Sequence, residues 1–296
     1  MFGSSSDKDE EDEMRCLVTG GCGFIGTHLV AALIEKGHEV VVLDNLISGK
    51  KDRLNSKARF ILGDIRNPDD VKQAMENCKI LFHLAALTDL RTVTEEMDKE
   101  VNFEGSKNVF SAAQEIGARI IFTSSAAVYG NSAAVENGEC KPLSYYGKNK
   151  LEIEKLCPEN SFVARLFNVY GPYGKSFVNT LCKKIPYEEE VVVYGDGPNT
   201  RDYIYVDDVV SALLLGIDQN GIYNVGTGKE TTVLDLIGLV EKIANKKARI
   251  KFEKENENDI KNSRADITKI RKLNWEAKVS LEEGIRLILE SEKQNS

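Results

Sequence analysis

The sequence lacks the marks of several functional classes. Its six cysteines (Cys16, Cys22, Cys78, Cys140, Cys157, Cys182) form no Cys-x-x-Cys pair and do not cluster with the three histidines. A zinc centre or disulfide framework is therefore not expected, no residue is assigned to a metal, and a cytoplasmic setting is expected. No run approaches the roughly 18 apolar residues of a membrane-spanning helix. There is no basic stripe of the kind that follows a nucleic-acid backbone, so nucleic acid and membrane are excluded as partners. The formal net charge is −8, but −5 of it sits in residues 7–13, leaving the body near neutral. Residues 1–13 have no apolar centre of a signal peptide and read as a disordered, solubilising acidic tail. Internal repeats and low-complexity linkers are also missing.

What is present is a rhythm of short apolar strands, turns and amphipathic helices from Arg15 onward. Cys16–Thr19, Glu39–Leu43, Arg59–Leu62, Ile80–Leu84, Arg119–Thr123 and Ser161–Leu166 are strand-like, and most are continuous apolar runs. Such runs suit parallel strands covered on both faces. In 24–36, Ile25, Leu29, Ala32 and Leu33 recur at helical spacing before Gly37. The fold class is α/β, a Rossmann-type doubly wound parallel sheet with a smaller C-terminal α/β substrate-binding domain. The rhythm breaks after Leu166. Residues 14–172, joined by 203–226, are assigned to the first domain, and 173–202 with 227–296 to the second. Strands are expected at Val191–Tyr194 and Tyr203–Val206, helices at Thr231–Ala244 and Leu281–Glu290, and a solvated loop or edge strand over Lys251–Asn262. A ligand is expected between the two domains.

The first strand runs straight into Thr19-Gly20-Gly21-Cys22-Gly23-Phe24-Ile25-Gly26 and a helix. Gly20 permits a tight turn, Gly23 lets backbone approach a pyrophosphate, and Gly26 allows close helix–strand packing. The helix N-terminus offers unpaired N–H groups to phosphate. The second strand ends at Asp44, where a carboxylate accepts both ribose hydroxyls and repels a 2′-phosphate, favouring NAD over NADP. Asp64, after the third strand, is placed to bond the adenine amino group.

Tyr146 and Lys150 are four apart, on one face of a helix. Tyrosine titrates near pH ~10, and a neighbouring cation is expected to lower that value and make Tyr146 a usable base. Upstream, Thr123-Ser124-Ser125-Ala126-Ala127-Val128-Tyr129-Gly130 follows a strand end, where ligands of such sheets bind.

With His83-Leu84-Ala85-Ala86, Asn102, Arg165-Leu166-Phe167-Asn168-Val169-Tyr170-Gly171-Pro172, Gly195-Asp196-Gly197 and Thr200-Arg201-Asp202-Tyr203, these motifs are in the order found in one family. The chain resembles the extended short-chain dehydrogenase/reductases of the NAD-dependent epimerase/dehydratase family, from Arg15 to Glu290. The resemblance implies Tyr146 as general base, Lys150 as the cation that tunes it and holds the nicotinamide ribose, and Ser125 as the hydroxyl bonding the sugar oxygen. It implies further cofactor contacts from Asn45, Ser48, Gly49, Ile65, Leu84, Ala85, Ala86, Asn102, Ser124 and Phe167. On the substrate side it implies Ala126, Val178, Asn168 and Arg201 (the last two on the nucleotide diphosphate) and Tyr194 beside the base. It also implies a homodimer, joined through a helix bundle that includes the Tyr146 helix.

Members of this family begin by moving a hydride from the sugar to NAD. Dehydratases resemble one another in an acidic pair after the catalytic hydroxyl, and decarboxylases in a Glu at the second of those positions. Here Ala126 and Ala127 stand there, and neither transfers a proton. A 4-epimerase needs only Tyr146, the cofactor and room for the keto sugar to turn over. The expected reaction is therefore 4-epimerisation of a UDP-hexose, UDP-glucose/UDP-galactose or the N-acetylhexosamine pair. Alternatives are another NAD-dependent nucleotide-sugar oxidoreductase or dehydratase, and a noncatalytic NAD-sensing protein on the same fold. Two positions depart from the pattern. Asn256 falls where a diphosphate-binding Arg is usual, and Ser263 where a bulky aromatic narrows some sugar pockets. The segment after Pro172 is also short for the family.

Overall fold

The protein is described by a computed structural model over residues 13–89, 92–254 and 260–294. Residues 1–12 of the acidic segment and Asn256 lie outside the described residues.

The first half contains β1 (Arg15–Thr19), α1 (Phe24–Glu35), β2 (Glu39–Asp44), β3 (Arg59–Leu62), α2 (Pro68–Met75) and β4 (Ile80–His83). There follow α3 (Glu95–Asp98), a π-helical stretch over Lys99–Glu104, α4 (Gly105–Glu115), β5 (Arg119–Ser125), α5 (Tyr145–Glu154) and β6 (Phe162–Leu166). The second half adds β7 (Asn168–Tyr170), α6 (Phe177–Lys184), β8 (Glu190–Tyr194), β9 (Thr200–Arg201), β10 (Tyr203–Tyr205) and α7 (Val206–Leu215). It ends with β11 (Gly221–Val225), β12 (Thr231–Thr232), α8 (Val233–Ala244), β13 (Arg249–Glu253), α9 (Thr268–Arg271) and α10 (Leu281–Gln294).

Seven strands form one sheet in the order β11-β6-β5-β4-β1-β2-β3, and every pair in it is parallel. The continuous apolar runs have a direct cause. Successive strand residues face opposite sides, and both sides are covered. Cys16, Val18, Val40, Val42 and Phe82 enter one core beneath α1 and α7. Leu17, Val41, Leu43 and Leu81 enter the other, beneath α2 and α4. Strand order reverses between β1 and β4, which opens a crevice at their carboxyl ends.

The rhythm that breaks at Leu166 returns at 221–225, where β11 pairs with β6. A third core, with Leu181, Val191, Val193, Leu236, Val240 and Ile288, gathers α6, α8, α10 and β8. The charged run at 251–262 begins as a strand, since β13 lies parallel to β8. Thr231 and Thr232 form a two-residue strand before α8, whose N-cap Thr232 accepts from the Asp235 N–H.

Candidate active site

The turn after β1 is built for bare backbone. A Cβ at Gly20, where φ is 72°, would lie 2.7 Å from Ala85 N, and one at Gly26 2.2 Å from Gly20 O. A Cβ at Gly23 would stand 3.1 Å from Gly20 O. The turn thus packs too closely on backbone for side chains at Gly20 and Gly26, and it leads into the first turn of α1, where Phe24 and Ile25 are half-buried. Asp44 ends β2 almost fully buried; its Oδ2 accepts from Cys22 N (2.9 Å) and its Oδ1 from Leu46 N (2.8 Å). Each oxygen keeps acceptor capacity for a ribose hydroxyl. Ser48 is exposed on the same loop, and Lys50 N donates to Cys22 O (2.9 Å), so Gly49 packs on Cys22. These residues fit a dinucleotide.

Asp64 is held by its neighbours. Its Oδ1 accepts from Arg66 N (2.9 Å) and Nε (3.0 Å), and its Oδ2 from Asn45 Nδ2 (2.9 Å) and Arg66 Nη2 (2.8 Å). A carboxylate offers about four acceptor sites, and these four bonds fill them. The Arg66 fork holds the carboxyl well below the usual range. Asp64 thereby orders the rim of the crevice. Ile65 beside it is buried.

The structure brings Ser125, Tyr146 and Lys150 together at the end of β5 and the start of α5. Tyr146, in the first turn of α5, stands close to the Ser125 side chain, whose pull toward the phenolate works against burial. Lys150 lies one turn deeper, buried, with Nζ 5.8 Å from the Tyr146 ring centroid and donating to Thr123 O (2.9 Å). The expected lowering of the tyrosine is not what this arrangement gives. Burial pushes the Tyr146 phenol up to about 12, the Ser125 hydroxyl opposes it, and Asp98 adds to it. Burial likewise pushes Lys150 down to about 8 against the pull of Asp98 and Glu154. The ammonium is turned to a carbonyl, and desolvation outweighs its attraction for a phenolate.

The sequence reading missed the frame around this set. Glu154 continues the stripe of Tyr146 and Lys150 one turn further along α5, a spacing that was a usable signal. It accepts from the Ser124 hydroxyl and from Arg165 Nε (2.9 Å) and Nη2 (2.6 Å). Ser124 is buried, so its side chain serves this network and only its backbone remains for a cofactor. Arg165 Nη1 donates to Tyr129 OH (2.8 Å), which donates to Asn224 Oδ1 (2.7 Å). β5, α5, β6 and β11 are thereby locked beneath the site. Asn102, in the π-helical stretch, accepts from Leu87 N (2.7 Å) and donates to Leu87 O (2.8 Å), fixing the loop that carries Leu84, Ala85 and Ala86.

A cavity of about 660 Å³ lies past the end of β5, lined by Ala126, Phe167, Ser263, Lys229, Arg264 and others. It brings Ala126, Phe167 and Ser263 together, but Tyr146 and Lys150 do not line it. Asp202, wholly buried, holds one wall by accepting from Thr227 N (2.8 Å), Gly228 N (2.8 Å) and Ala265 N (3.1 Å). Its neighbour Arg201 donates to Thr200 O (2.8 Å) and Lys261 O (3.4 Å), at the edge of the same loop. Asn168 is exposed on β7, and Tyr194 is exposed at the end of β8. Val178 is wholly buried in the third core, because α6 turns that face inward.

Comparison with known proteins agrees with this geometry. The model of the NAD dependent epimerase/dehydratase family matches residues 16–226. UDP-glucose 4-epimerase of Thermotoga maritima, solved with UDP-glucose, is similar over 95% of this chain and 99% of that one, at 35% identity and TM-score 0.88. UDP-N-acetylglucosamine 4-epimerase of Methanobrevibacter ruminantium M1, solved with UDP-N-acetylmuramic acid, is similar over 96% and 99%, at 30% identity and TM-score 0.88. UDP-glucuronic acid decarboxylase 1 of Arabidopsis thaliana is 34% identical over 92% of this chain and 68% of its own length. Relatives with different reactions thus share this scaffold and its NAD dependence, and the chain belongs to the NAD-dependent epimerase/dehydratase family.

Proposed function

We propose that the protein catalyses 4-epimerisation of a UDP-hexose, the UDP-glucose/UDP-galactose pair or its N-acetylhexosamine counterpart, through a transient 4-keto sugar. The observation that carries this reading is the juxtaposition of Ser125, Tyr146 and the buried Lys150, with Ala126 and Ala127 directly after Ser125. Dehydration and decarboxylation ask for a proton-transfer group at those two positions, and methyl groups supply none. When bound, NAD supplies the hydride acceptor. Asp44 and the bare turn Gly20–Gly26 would hold its adenosine and pyrophosphate, and Lys150 its nicotinamide ribose. Tyr146 would take the sugar hydroxyl proton and later return it, while Ser125 bonds the same oxygen. Asn168 and Arg201 would engage the diphosphate, and Tyr194 the base. The cavity beside Ala126 and Ser263 supports room for an N-acetyl group.

Residues 173–202 and 227–296 would act as the substrate-binding part. The family resemblance supports a homodimer built through α5. Among the described residues no helix is long and apolar enough to cross a membrane. The test is NMR of the anomeric signals with UDP-glucose and, separately, UDP-N-acetylglucosamine, with absorbance followed for reduced cofactor. The 4-epimer is expected without net NADH. Accumulating NADH, or a deoxy-keto product, would overturn the proposal.

A further inference from the structure

Asp98 is a carboxylate that the Ser125–Tyr146–Lys150 chemistry leaves without a task. It is fully buried at the end of α3, where the helix widens into its π-helical stretch. Its Oδ1 accepts from Asn102 Nδ2 and its Oδ2 from Asn149 Nδ2. Among the described residues it makes no ion pair. Burying an ionised carboxylate on two amides alone is unfavourable unless a nearby positive charge compensates. The orientation of Asn102 is not free, because its amide also grips both backbone groups of Leu87. Asn149 precedes Lys150 on α5. One carboxylate therefore ties together the loop after β4, the π-helical stretch and the helix that carries the base.

The charged and titratable groups facing Lys150 narrow its role. Glu154, on the same helix, is neutralised by Arg165 at 2.6 Å. The Cys157 thiol is pushed up to about 12 by burial and stays uncharged. His83, on β4, is pushed down to about 3 by burial and is neutral at physiological pH. Tyr146 is a neutral phenol in this state. Glu95 acts on Asp98, raising it. Burial pushes the Asp98 carboxyl up, and the Asn149 and Asn102 amides and the charge of Lys150 hold it down; it is the remaining acid acting on Lys150 that no ion pair among the described residues already neutralises.

We propose that Asp98 is a positioning residue for the base: its carboxylate charge, fixed by Asn102 and Asn149, keeps Lys150 charged and seated beneath Tyr146. The inference rests on reading Tyr146 and Lys150 as base and tuning cation. Asp98→Asn isolates the charge. Asn102 still donates to the remaining oxygen, and the Asn149 amide can turn over to accept from the new one.

The experiment is carbon-13 NMR titration of lysine side chains in the full-length protein, with Lys150→Met used to assign the resonance. In Asp98→Asn the Lys150 midpoint is expected about one pH unit lower. The alkaline limb of kcat should move with it, while KM for the sugar nucleotide stays within about twofold. Asn149→Ala, which removes one donor and lets Asp98 take up a proton more readily, should give a smaller fall of the same sign if the first variant does not fold. An unmoved midpoint in a folded variant overturns the proposal, whatever happens to thermal stability. The titration needs no turnover, so it stands apart from the reaction assignment, which fails only if the unaltered protein epimerises nothing.

Discussion

At the scale of single residues, the decisive tension is between burial and charge at Tyr146. A phenol pushed up to about 12 is protonated at neutral pH, so the base cannot rest on the lysine alone. The Ser125 hydroxyl works in the required direction, and so does any positive charge that a bound ligand brings against the ring. Removing the hydroxyl tests whether this group transfers the proton. Tyr146→Phe should keep the fold and the cofactor and lose about 10²–10⁴ in turnover, the usual range for a positioned acid–base group. The readout is epimer formed per unit time by NMR, beside cofactor content by absorbance. A variant working within about tenfold of the unaltered protein would remove Tyr146 from the chemistry.

At the scale of elements, His83 joins three pieces: it lies on β4, with Nδ1 2.7 Å from Thr19 Oγ1 of β1 and Nε2 2.8 Å from Ser106 Oγ of α4. Burial pushes its folded pKa down to about 3, against ~6.5 in an unfolded chain. Between those values the unfolded state binds the extra proton. Stability is therefore full above ~6.5 and falls as pH drops toward 3, by up to about 1.4 kcal/mol per unit. His83→Gln should be less stable at neutral pH yet show a shallower acid slope in urea unfolding midpoints. Equal slopes in the two proteins would assign the acid lability elsewhere.

Elements such as β4 were legible from sequence because both faces of the sheet are covered, so apolar runs and the glycine turn announce themselves locally. The Tyr146–Lys150 pair was legible for the same reason, since one helix sets its geometry. The partners that complete the site were not. Glu154 meets Ser124 and Arg165 only once β5, β6 and α5 are assembled, and Asp98 meets Asn149 across 51 residues. Asp64 looked free in the sequence because nothing local says that Arg66 folds back on it in a fork. Val178 carried a motif position into a core for the same kind of reason, since the inward face of α6 depends on what α8 and α10 place against it.

At the scale of the whole molecule, specificity depends on how the segments that follow the sheet close against it. Phe167, just past β6, meets the turn at 227–230 and the segment 262–268 around one cavity. Asp202 fastens that turn to Ala265, so the wall is rigid while Ser263 stands half-buried in it. The volume at Ser263 is therefore set by that side chain and not by a mobile loop. Ser263→Tyr adds an aromatic ring where only a hydroxymethyl now stands. If the N-acetyl group of a hexosamine uses that space, the variant should lose at least about tenfold in kcat/KM for UDP-N-acetylglucosamine, roughly the value of a filled small pocket. Its kcat/KM for UDP-glucose should change by about twofold or less, since that sugar places nothing there. Parallel losses on both substrates would mean that the ring blocks the hexose itself, so that the cavity is the sugar site and not an annex to it. No loss on either would move the sugar away from Ser263 altogether.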